Sequence, residues 1–71
     1  MIKVGQRVKL KKGVGKPTLA MMGIREEADN CLKVFGEDGP GAEVVDIVAG
    51  ELCRFKEVIV WIPRNYLEVM E

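Results

Sequence analysis

The sequence predicts a small, mostly β domain, five to six short strands curled into one barrel, with residues 18–35 open to a single inserted helix. Three observations carry that prediction. The chain has 71 residues, enough for one domain over 1–71 and too few for two. Apolar and charged residues alternate from the start, as on a strand with one buried face. Glycine and proline then cut the rest into segments of strand length.

At this size folding buries only ~60% of the surface of the unfolded chain, so one core supplies ~3–5 kcal/mol. A hydrophobic content of 48% is generous for so small an interior. Part of it is expected at an interface.

The first strand follows Gly5. Val4, Val8 and Leu10 are expected to point inward, and Arg7, Lys9 and Lys11 outward. Gly13, Gly15 and Pro17 close this strand, and Pro17 biases Lys16 away from helix. Residues 18–35 support two readings. Strands over 18–24 and 31–35, joined by the polar island 25–30, are favoured because Gly23 interrupts a helical pattern. The alternative is an amphipathic helix with Thr18 as cap, Met21, Ile24, Ala28, Cys31 and Phe35 on its apolar face, and Gly36 at its end. Residues 36–41 form the clearest loop, with Asp38-Gly39 as a turn signal. A strand over 44–48 ends at Gly50. The run 58–62 stops at Pro63, and a last short strand covers 66–70.

The run 58–62 is apolar on both faces. Either Val58, Val60 and Ile62 face the core or Ile59 and Trp61 do. The other set then needs a covering segment or a second chain.

Net charge is zero, but residues 1–16 hold six bases and no acid, while the remaining 55 hold five bases and eleven acids. Such a basic arm suits phosphate. Alternation also makes it the solvent face of an edge strand protected by lysine, and that is the preferred interpretation.

Catalytic chemistry has little to work with. The chain contains no histidine and no serine, so the usual base and its usual nucleophile are missing. Cys31 and Cys53 lie in apolar runs and are expected as buried packing residues. Two isolated thiols without C-x-x-C or histidine argue against a metal site, and no cofactor motif appears. The stretch 13–17 is too short for a phosphate loop. One cysteine pair, with no apolar leader or membrane-length run, points to a reducing, cytoplasmic setting and no membrane contact.

The opening V-G-Q-R-V-K-L-K-K-G (4–13) and the closing V-W-I-P-R-N-Y-L-E-V (60–69) together resemble the two ends of small SH3-like barrels. The resemblance covers about twenty residues and implies fold first. The segment 62–66 is similar to the I-P-S-N-Y of signalling SH3 domains, which would make Pro63 and Tyr66 groove residues and Asn65 a donor to a peptide carbonyl. The chain lacks that family's A-L-Y-D-Y opening and paired tryptophans. The opening also resembles ribosomal and transcription-factor barrels, which would cast Lys11, Lys12 and Lys16 as phosphate contacts. A third likeness is to the plasmid-borne dihydrofolate reductase assembled from four small barrels, with Pro63, Leu67 and Glu68 in register. That enzyme's working glutamine and tyrosine fall on Val60 and Ile62 here, so this likeness implies fold and self-association without the activity.

Together these features predict a non-catalytic module that binds protein, including a second copy of itself as a homo-oligomer, through Trp61, Pro63, Arg64, Asn65 and Tyr66. The alternative is nucleic-acid binding through Lys9, Lys11, Lys12 and Lys16.

Overall fold

The structure is a computed structural model that describes residues 2–70. It is a small α+β protein with two short helices and a five-stranded antiparallel sheet. The elements in chain order are β1 (Arg7–Leu10), α1 (Lys16–Met21), α2 (Ala28–Phe35), β2 (Ala42–Val48), β3 (Leu52–Phe55) and β4 (Trp61–Pro63). A 3₁₀ turn (Arg64–Tyr66) and β5 (Leu67–Val69) complete it.

The sheet order is β4-β3-β2-β1-β5, so the two ends of the chain lie side by side, with Val8 opposite Val69 and Leu10 opposite Leu67. β2 serves two ladders. Its start pairs with β1 through Arg7–Glu43 and Val8–Ala42, and from Val44 onward it pairs with β3, with a register shift between Val44 and Asp46 inside that ladder. An extra residue there bends the strand and increases its twist, so the two ladders curl around a common interior. No backbone pairing joins the edge strands β4 and β5 among the described residues, and the sheet is open between them.

Two helices replace the strands expected over 18–24 and 31–35. Gly23, which argued for a break in a helical pattern, is the break between the helices. It lies just past the end of α1 at φ +85°, where its N–H donates to the Ala20 carbonyl at 3.0 Å and the N–H of Ile24 donates to that of Leu19 at 2.9 Å. These two bonds form a glycine-terminated Schellman ending, which carries an apolar contact between the residues at its two ends. Here those residues are Leu19 and Ile24, and both are buried. Thr18 does not cap α1. Gly15 precedes the helix and Pro17 sits in its first turn, where the N–H that proline lacks has no intrahelical partner to lose.

α2 follows the amphipathic alternative closely. Ala28, Cys31 and Phe35 are its buried residues and Gly36 its C-cap. Met21 departs from it at 89% exposure, and Leu19 takes the buried place on α1. α1 packs on α2, and α2 packs on β1. In the interior the ring of Phe35 meets that of Phe55 edge-on, with centroids 4.8 Å apart.

On β1, Val8 and Leu10 are buried as expected, whereas Val4 lies in a turn before the strand and is 59% exposed. The run 58–62 forms a strand only from Trp61 onward; Val58, Ile59 and Val60 are an irregular crossing that still buries Val58 and Val60.

Candidate functional site

The sheet places a row of three residues across its outer surface. Asp46 on β2 pairs in register with Arg54 on β3, and Arg54 with Trp61 on β4. The Arg54 guanidinium stands 3.6 Å from the Asp46 carboxylate and 5.4 Å from the centre of the Trp61 ring, a cation–π distance. The bulge leaves Val45 exposed beside Asp46, and the crossing before β4 leaves Ile59 95% exposed and Trp61 48% exposed. A depression of about 170 Å³ lies between them, lined by Arg54, Phe55, Val58, Ile59, Val60 and Trp61. Arg54 is therefore occupied on two sides while the apolar groups around it have no cover.

A larger and shallower depression, of about 490 Å³, lies where β1, the 3₁₀ turn and β5 meet. Ile2, Leu67 and Val69 contribute apolar surface, and Lys11, Arg64, Asn65 and Glu68 its polar groups. The backbone N–H of Lys11 donates to the Tyr66 carbonyl at 2.8 Å, and that of Arg64 to the Glu51 carbonyl at 2.8 Å. These bonds tie both basic residues to fixed backbone.

The five residues expected to form one contact surface are thus divided. Trp61 lines the small depression and Arg64 and Asn65 the large one, and the two share no lining residue. Pro63 is half-buried and pairs with Leu52. Tyr66 is half-buried and packs against the core, with its carbonyl used by Lys11. Ile59 was legible as one of two possible outward residues. Arg54 and Val45 carried no signal, because the register that aligns them with Trp61 is tertiary.

The four lysines of the nucleic-acid alternative also divide. Lys16 pairs with Asp29 at 2.7 Å and Lys9 with Glu68 at 3.8 Å. Lys11 lines the large depression, and Lys12 is exposed in the turn after β1. Exposed pairs of this kind are weak, but they lower the positive potential that sequence counting assigns to the arm.

Elsewhere one polar cluster joins the loop before β4 to β1 and β2. Arg7 donates to the Gly41 carbonyl at 2.9 Å and to Glu57 at 3.2 Å, and the other Glu57 oxygen accepts from the backbone N–H of Glu43 at 2.9 Å. Partial burial acts to raise the Glu57 carboxyl. The backbone donors and Arg7 outweigh it and hold the group below its ordinary value.

Both cysteines are free and buried. Burial, with Glu27 adding to it, pushes the Cys31 thiol up to about 11. Burial also raises Cys53, against the opposing charge of Arg64. Neither is a thiolate at neutral pH, so neither is set up as a nucleophile. No group of three potential metal ligands occurs among the described residues, and no helix is long and apolar enough to cross a membrane.

Comparison of the chain with protein-family models, with curated proteins and with solved structures finds no match.

Proposed function

We propose that this protein is a small non-catalytic binding module of SH3-like architecture that works through protein contacts, first among them association with a second copy of itself. The architecture is supported by the pairing of the terminal strands, the bent β2 shared by two ladders, and the 3₁₀ turn between the last two strands. These features fit a partly open barrel with helices inserted between its first two strands.

The observation that carries the functional reading is the uncovered pair Ile59 and Trp61 beside the Asp46–Arg54 ion pair. A two-fold interface brings one patch against itself. A patch with one cation, one anion and an apolar surround is self-complementary, because each Arg54 can meet the other copy's Asp46 while the apolar groups pack together. Tryptophan and arginine are also the residue types that most often dominate interface energetics. The buried, protonated thiols agree with a non-catalytic role.

Light scattering coupled to size exclusion at high micromolar concentration is expected to give a dimer. Ile59→Asp is expected to give a monomer whose melting temperature equals that of wild type at protein concentrations low enough for wild type to be monomeric too, since the side chain is 95% exposed and only the dimer contact stabilises through it. A monomeric wild type, or an Ile59→Asp variant of unchanged mass, would overturn the self-association.

A further inference from the structure

We infer that the depression between β1, the 3₁₀ turn and β5 is a second binding site, and that it takes a short acidic segment of another protein, carboxylates and an aliphatic side chain together. The inference rests on the protein-binding reading above but uses a surface that shares no residue with the proposed dimer contact.

Charge is the first argument. Arg7, Lys9, Lys16 and Arg54 each have a carboxylate within ion-pair distance. Lys11 and Arg64, which border this depression, have none among the described residues. The one acid on the rim, Glu68, stands beside Lys9, which offsets its repulsion of an incoming anion. The depression therefore presents two cations that make no ion pair among the described residues.

Geometry is the second. Lys11 and Arg64 come from different elements, and the backbone bonds to Tyr66 and Glu51 hold their main chains in place. Asn65 adds an exposed amide that makes no side-chain hydrogen bond among the described residues. Arginine and an amide together can hold a carboxylate with directed N–H donors. The half-buried apolar members, Ile2 and Val69, offer surface to an aliphatic group. No aromatic ring lines the depression, so it lacks the stacking platform that single-stranded nucleic acid uses. That absence, with the apolar surface, favours an acidic peptide over a phosphate backbone.

The probe is a fluorescein-labelled, N-acetylated peptide of alternating Glu, Asp and Leu, titrated with the full chain and followed by polarisation. Saturable binding that weakens as salt rises is expected. The Lys11→Ala, Arg64→Ala double variant should bind about tenfold more weakly or worse, as befits the loss of two charge-assisted contacts. Asn65→Asp, which adds a like charge while keeping side-chain volume, should also weaken binding, and Lys11→Arg should retain it. Ile59→Asp should leave the affinity unchanged, so failure of the dimer contact and failure of this site are read separately. Circular dichroism melts confirm that each variant is folded. Binding that is unsaturable, equal for a Gln/Asn/Leu control peptide, or unaltered in the double variant overturns the site. Tighter binding of a short oligothymidylate, lost in the same double variant, overturns it in favour of nucleic acid.

Discussion

Ile59 and Ile62 are the same residue three positions apart, and the fold treats them oppositely: Ile62 is 0% exposed and Ile59 95%. The same split runs along β3, where Cys53 is buried and Arg54 faces outward. Inside, the residues are packed from both sides by helix and sheet. Outside, Val45, Ile59 and Trp61 surround an ion pair with nothing over them. The inner face carries stability and the outer face is free to carry recognition.

The most direct way to break this comparison is to truncate both isoleucines. Ile62→Ala should cost about 2–5 kcal/mol, because it loses burial and leaves a cavity. Ile59→Ala should stay within about 0.5 kcal/mol in the monomer. Denaturant melts at low protein concentration test both, and equal losses would mean that the two faces are not distinct.

A smaller effect is expected at the polar cluster that anchors the loop leading into β4. Glu57→Gln keeps an acceptor for the Glu43 N–H but removes the charge opposite Arg7, and should cost about 1 kcal/mol at neutral pH. The pH dependence has a definite sign. The Glu57 carboxyl is held below its ordinary value of 4.5 in the folded state, so it adds stability above that value. This contribution is lost as pH falls through the lower folded value. Wild type should therefore lose part of its advantage over Glu57→Gln as melts are taken from neutral pH to below pH 4.5. A constant gap across that range would rule out the ionised cluster.

The smallest effect sharpens the comparison at the turn that sets it. Val48 accepts from the Glu51 N–H at 3.0 Å across Ala49 and Gly50, and both central residues have positive φ, 54° and 71°. That geometry belongs to a tight hairpin turn favouring Asn-Gly, and alanine is strained there. Ala49→Asn should raise stability by about 0.5–1 kcal/mol. Because this turn sets the pairing of β2 with β3, it also helps decide which residues of β3 face the core. An unchanged or lower melting temperature would count against the strained turn.

Much of the architecture was legible in residue order. Alternation around Val8 and Leu10 gave the first strand and its buried face, Gly36 marked the end of α2, and the two-faced run 58–62 announced an apolar surface without cover. The strands at the two ends of the chain, β1 and β5, lie side by side. The interruption at Gly23 was legible too, but its meaning was not: a glycine can separate two strand-like runs or terminate a helix. The Schellman ending that buries Leu19 with Ile24 decides between them. β3 went unnoticed because its four residues (Leu52–Phe55) show only one cycle of alternation.

The candidate sites were less legible for a related reason. Trp61, Arg64 and Asn65 lie within five consecutive residues, yet the 3₁₀ turn sends them to different depressions, and Arg54 reaches Trp61 only through strand register. Residue order alone established the basic opening, the buried character of the cysteines and an excess of apolar surface around 58–62. Tertiary structure decided that two helices, α1 and α2, take up the ends of 18–35 and that Val58, Val60 and Ile62 turn inward. It also decided that Lys9 and Lys16 have ion-pair partners while Lys11 and Arg64 have none among the described residues. The physical reason is that periodicity reports which side chains share a face, whereas packing against distant elements determines which face is covered.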